Sequence, residues 1–162
     1  MKRLIALMTA LLCFALGAPP VHADAANLQP LVAADVGRVL APEPGKAQIV
    51  EIWSLDCSYC RENVARIMQW QRNHRDVRVT MIAMDALDDN AEALAQALAT
   101  MHLSPQVAQY ANAEAIPEKL RRALDSTWHG ELPRTVLIDA SGTRQSHSGL
   151  LAPGVLDQWR GE

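Results

Sequence analysis

Ile49-Val50-Glu51-Ile52-Trp53-Ser54-Leu55-Asp56-Cys57-Ser58-Tyr59-Cys60 (IVEIWSLDCSYC) is the stretch on which the fold turns. With Gln48 in front, its first half is a β-favouring run, apolar on both faces except at Glu51, which suits a central strand covered on both sides. The period then changes. From Cys57 to His74, Cys60, Val64, Ile67 and Gln71 share one face at helical spacing with Met68 beside them, so the cysteine motif opens an amphipathic helix.

Downstream, Val77 to Met84 reads as a second strand ending at Asp85, and Asp88 and Asp89 offer N-caps for a helix through Met101 with Leu94, Leu98 and Met101 inward. Strand, helix, strand, helix implies parallel pairing with a right-handed crossover. Ser104 to Asn112 fits either a short strand or one helical turn. Pro117 opens a further helix through Leu124. Thr135 to Asp139 is a strand, Ala140 to Thr143 a turn, and Thr143 to Ser148 a return strand, so a hairpin closes the sheet; Pro153 to Trp159 is a last short helix. Upstream, the Ala- and Pro-rich segment from Asp24 to Gly45 holds a short helix around Asp35 to Leu40 and then a turn.

At 162 residues the chain has room for one domain, and 49% apolar with 20% charged residues predicts a packed core. Fifteen basic against 18 acidic side chains leave a net charge of -3 without any run of like charge, which excludes the electrostatic footprint of a nucleic-acid binder. The first 23 residues form an export signal. Lys2 and Arg3 are the basic start, Leu4 to Leu16 the apolar stretch, and Val21-His22-Ala23 the cleavage site. Cys13 follows Leu12, not the small residue that a lipid-attachment cysteine needs. The expected mature chain, residues 24–162, is thus one soluble periplasmic domain whose only cysteines are Cys57 and Cys60, in an oxidising compartment.

The chemistry follows from that pair. Two intervening residues let Cys57 project at a helix N-terminus, where amide groups and the macrodipole favour its thiolate, while Cys60 lies one turn inside as the resolving thiol. Zinc would need a second pair or a spaced histidine pair, and neither follows. A purely structural bridge would close too short a loop to stabilise much.

The chain resembles the thioredoxin superfamily, most closely its exported TlpA/ResA-like branch of thiol–disulfide oxidoreductases. The matching residues are Ile49 to Cys60 and Gly130 to Gly142 (GELPRTVLIDASG), and the resemblance covers Asp35 to Trp159. It implies a thioredoxin-like α/β fold, a mixed sheet flanked by helices, with an extra helix and strand inserted at about Ala86 to Asn112. It also implies a cis bond at Leu132-Pro133 facing the cysteines, with the Leu132 backbone offered to an extended substrate. Ser58 and Tyr59 complete the substrate-facing set, together with Trp53, which matches the family's packing tryptophan beside the site and whose larger part is core filling. Glu51, six residues before Cys57, stands where many thioredoxins carry a buried acid beneath the second cysteine. On a covered strand its pKa would rise, and it could relay a proton to and from Cys60. Three departures mark this chain: Asp56 in place of tryptophan, Ser-Tyr in place of Gly-Pro, and Arg134 after the proline.

His74, His102, His129 and His147 show no ligand spacing with a cysteine, and no metal site is expected. Met68, Met81, Met84 and Met101 read as packing. The expected protein is a periplasmic enzyme that reduces disulfides of envelope proteins, and the resemblance makes proteins of cytochrome c maturation candidate substrates. It would work as a monomer, with no cofactor beyond its own disulfide, and be recharged by a membrane-borne electron donor. The alternatives are a Dsb-like oxidase or isomerase and a non-enzymatic copper-binding assembly factor, against which the two-residue gap between the cysteines counts.

Overall fold

The computed structural model describes residues 27–41 and 43–161; the expected signal segment, residues 1–23, lies outside them. β2 (Gln48–Trp53) is buried along its whole length. Parallel β3 (Arg78–Ala86) flanks it on one side and antiparallel β5 (Arg134–Ile138) on the other. With β1 (Leu28–Leu31), β4 (Ala108–Asn112) and β6 (Arg144–Ser148), they form one six-stranded sheet in the order β1-β4-β3-β2-β5-β6.

Alternation along the strands divides the core into two layers. Ile49 and Trp53 of β2, Val79, Met81 and Ala83 of β3 and Leu137 of β5 face one layer. That layer is covered by α2 (Cys60–Gln71), α3 (Leu87–Ala99) and α5 (Val155–Arg160). Val50, Ile52, Ile82, Val136 and Ile138 face the other, under α1 (Val36–Val39) and α4 (Pro117–Leu124). Glu51 shares the α2 side with Ile49 and Trp53, by strand period. One polar residue is therefore built into an aliphatic layer.

The mixed sheet and the inserted α3–β4 pair match the expected fold class. The ambiguous segment around Val107 becomes β4 because β1 and β3 give it parallel partners on both sides. β1 itself is new. Leu28 and Leu31 look like a loop rhythm in the sequence, but they carry a short edge strand, the place where its Pro30 is tolerated. α3 begins at Leu87, with Ala86 as its N-cap and no side-chain cap bond. Asp88 and Asp89 fall inside its first turn, where they complement the helix dipole and do not cap it.

Candidate redox site

β2, β3 and β4 are parallel, so their C-terminal ends meet at one edge of the sheet, and antiparallel β5 starts there. Cys57 and Cys60 lie on the turn that leaves β2. They are joined by a disulfide with an S–S distance of 2.06 Å and a Cα–Cα distance of 5.4 Å. The helix begins at Cys60 and not at Cys57; Cys57 sits in the preceding turn, with the Cys60 amide on its carbonyl at 3.4 Å. The pair is unequal. Cys60 is fully buried and Cys57 half-buried.

The turn is held at its base. The Leu55 amide donates to the Asp85 carboxylate at 3.0 Å, tying the cysteine turn to the end of β3. On the β5 side the Leu132–Pro133 bond is cis, Pro133 is buried and Leu132 half-buried. The Pro133 carbonyl accepts from the Gly149 amide at 2.8 Å. Ser58 and Tyr59 are exposed, and Tyr59, 60% accessible, is one of the few large apolar side chains left open. Trp53 is different. It is 1% accessible and packs in the layer that holds Cys60, which removes it from any surface a substrate could touch.

Glu51 is wholly buried. Its Oε1 accepts from Asn63 Nδ2 at 2.9 Å and its Oε2 from the Thr135 hydroxyl at 2.7 Å. Asn63 Nδ2 also reaches the Thr135 oxygen at 3.0 Å, and Asn63 Oδ1 accepts from the Leu151 amide at 2.8 Å. Burial pushes the Glu51 carboxyl up to about 8, against the opposing pull of its two donors. Asn63 lies three residues after Cys60 and is buried with it on α2, so one helix turn separates the partner of the acid from the buried cysteine. Neither Asn63 nor Thr135 belongs to the expected site. Two signals were available: a polar residue on the apolar stripe of α2, and a threonine on a covered strand. The register that sets Thr135 opposite Glu51 required the sheet.

Arg134 has a partner of its own. It points to the other face and pairs with Asp125 at 2.7 Å, each side chain 11% accessible. Burial raises the Asp125 carboxyl, but bonds from Arg134, Ser146 and Thr127 outweigh it and hold the group well below the usual carboxylate range. Among the described residues no three histidine, cysteine or acidic side chains gather as a metal site. His74 stacks on Trp70, with ring centroids 3.7 Å apart. His102 and His129 are exposed.

No family model matches the chain. No curated protein matches it. Solved structures do. A thiol:disulfide interchange protein of the thioredoxin family from Chlorobium tepidum is similar at 23% identity and a TM-score of 0.56, over 76% of this chain and 81% of its own. StoA from Bacillus subtilis is similar at 14% and 0.52, over 74% and 85%. The thioredoxin domain of a thiol-disulfide oxidoreductase from Bacteroides vulgatus is similar at 15% and 0.51, over 72% and 79%. At these identities the likeness is one of fold.

Proposed function

On this thioredoxin-like fold, we propose that the chain is a thiol–disulfide oxidoreductase exported to the periplasm, where it reduces disulfides in other envelope proteins. The observation that carries the reading is the disulfide between a half-buried Cys57 and a fully buried Cys60 on the turn that follows the central strand; the buried Glu51 on that strand and the cis Leu132–Pro133 bond support it. The Cys57 thiolate attacks a substrate disulfide, forming a mixed disulfide and releasing one substrate thiolate, which is then protonated. Cys60 gives its proton to the Glu51 carboxylate, and the resulting thiolate attacks the Cys57 sulfur. That step closes the Cys57–Cys60 disulfide and releases the second substrate thiolate, which takes a proton. Two electrons pass from the protein dithiol to the substrate. Leu132 offers its backbone to the incoming chain, and Ser58 and Tyr59 meet it from the helix side. No cofactor enters the cycle.

The direction rests on the surroundings of Cys57. A strongly oxidising pair needs an unusually stabilised thiolate, as at about -120 mV in DsbA against about -270 mV in thioredoxin. Here Asp56 sets a carboxylate next to Cys57, and the helix starts three residues later, at Cys60. Both weaken stabilisation of the thiolate. The reduced protein is then a donor, recharged by a membrane-borne partner and acting as a monomer. Among the described residues no helix is long and apolar enough to cross a membrane. The export signal of residues 1–23 supports the location.

Insulin reduction driven by dithiothreitol tests the activity, and equilibration against glutathione tests the direction. Turnover that disappears in Cys57→Ser, with mixed disulfides accumulating in Cys60→Ala, is the expected result. A potential near that of DsbA would make the chain an oxidase. Protein recovered from the envelope should begin at Asp24.

A further inference from the structure

The buried acid does not stand alone, and the polarity of its partners is fixed. The Leu151 amide can only donate, so the Asn63 atom that faces it is Oδ1. Nδ2 is thereby turned toward Glu51 and Thr135, and it too can only donate. Because Thr135 Oγ1 accepts from Asn63, its one proton is directed to Glu51 Oε2. The ionised carboxyl is therefore gripped at both oxygens by donors arriving from α2 and β5. Of the two, only the Thr135 hydroxyl can turn round and accept when Glu51 carries a proton.

The grip also has an outside anchor. Leu151 belongs to the strap that follows β6, whose Gly149 amide holds the Pro133 carbonyl and whose Leu151 carbonyl accepts from Arg66. The same short strap thus touches the proline turn and the amide that faces the acid.

We propose that Asn63 and Thr135 are positioning residues that clamp the Glu51 carboxyl through its two oxygens and set how readily it takes up a proton, with the Leu151 amide fixing the polarity of the clamp. As the source of that proton, Cys60 rests on the functional reading above; the clamp itself does not. Its two members act alike on the acid: each favours the carboxylate, so loss of either makes Glu51 hold its proton more tightly.

Thr135→Val keeps the shape and deletes the hydroxyl, whereas Thr135→Ser restores it. Two profiles are measured for each: the rate at which Cys60 resolves a preformed mixed disulfide against pH, and the urea midpoint of the oxidised protein against pH. In Thr135→Val the midpoint of both profiles should move up by about one pH unit, as expected for loss of one donor to a carboxylate. Thr135→Ser should bring it back, and the shift should vanish in a Glu51→Gln background. Asn63→Ala should move the profiles in the same direction, and Thr135→Val carries the test if that variant does not fold. A Thr135→Val protein that is slower or less stable at every pH, with both midpoints unmoved, overturns the clamp. A wild-type chain that performs no exchange, yet whose urea profile shifts as described, upholds the clamp and overturns the enzymatic reading.

Discussion

β5 carries two polar residues side by side, and each holds an acid on its own face of the sheet. Thr135 binds Glu51 in the α2 layer and Arg134 binds Asp125 beneath α4. Both acids are gripped by donors and both lose solvent, yet their proton affinities move in opposite directions. The difference lies in burial and in the donor set: Glu51 is wholly buried with two neutral donors, whereas Asp125 keeps some solvent and accepts from Arg134, Ser146 and Thr127. Two neutral donors in a fully buried pocket do not offset the cost of burying a carboxylate, whereas a guanidinium at 2.7 Å, two hydroxyls and an amide do so in a less buried one. Arg134, the departure after the proline, thus makes a structural ion pair. Leaving Glu51 without a cation keeps its proton exchangeable near neutral pH.

The largest expected difference between the two acids is in exchange rate. Glu51→Gln should slow resolution of the mixed disulfide about 100-fold or more, the lower end of what a positioned acid–base group supplies. Asp125→Asn should leave that rate within about twofold, an expectation drawn from the same principle for a group that transfers no proton. Stopped-flow measurement on the preformed mixed disulfide compares them. Equal slowing in both variants would erase the distinction.

Stability against pH separates them next. Glu51 has a raised carboxyl, so between its ordinary value of 4.5 and about 8 the folded chain binds a proton that the unfolded chain has lost. Stability is fully present below that window and falls as pH rises through it, by up to about 1.4 kcal/mol per pH unit. Glu51→Gln should flatten the fall and make the variant more stable than wild type above pH 8. Asp125 is depressed, so its contribution is present above the ordinary aspartate value of 3.8 and is lost as pH falls below it. Urea titrations at intervals from pH 3 to pH 9 read both slopes. A wild-type curve that rises from pH 5 to pH 8 would contradict the burial argument for Glu51.

Removing the cation tests the remaining asymmetry. Arg134→Met leaves Asp125 largely buried without its guanidinium and should cost about 2 kcal/mol at pH 7 in denaturant unfolding, below the full penalty of a sealed ion pair because water reaches its rim. The loss should shrink at pH 3, where protonation begins to relieve the orphaned carboxylate. A loss of equal size at both pH values would point to packing of the arginine stem.

How legible all this was from the sequence depends on which residues decide it. β2, α4 and the closing hairpin follow from local period and from proline, and Glu51 is conspicuous because it interrupts an apolar strand. Cys57 and Cys60 announce the chemistry by spacing. Asn63, Thr135 and Leu151 do not, because their meeting is set by strand register and by helix-on-sheet packing, with separations of up to 88 residues. The Asp125–Arg134 pair spans only 9 residues and was hidden because the turn that closes it has no period to read. Trp53 was legible in its larger part: it fills the core, as its place on a covered strand implies, and strand alternation leaves none of it for a substrate contact.

The smallest expected effect concerns the end of β6 and the strap that follows it, which between them touch both acid clusters. Ser148 accepts from Arg134 Nη1 at 2.7 Å, and Leu151 orients Asn63 at 2.8 Å. Between them Gly149 has a φ of +81°, in the left-handed region, with no atom within 4 Å of where a Cβ would stand. Gly149→Ala therefore meets no clash and should cost about 1 kcal/mol from backbone strain alone. Gly154, at φ +80° with equally open space, supplies the control, since its strain is the same and it lies beyond the strap on the N-cap of α5. The two alanine variants should lose similar stability. Only Gly149→Ala should also speed hydrogen exchange at the Leu151 amide, because the strain enters the segment that presents that amide to Asn63. Equal exchange in both variants would mean that the strap transmits nothing to the amide, and that the two acid clusters share a strand without sharing a support.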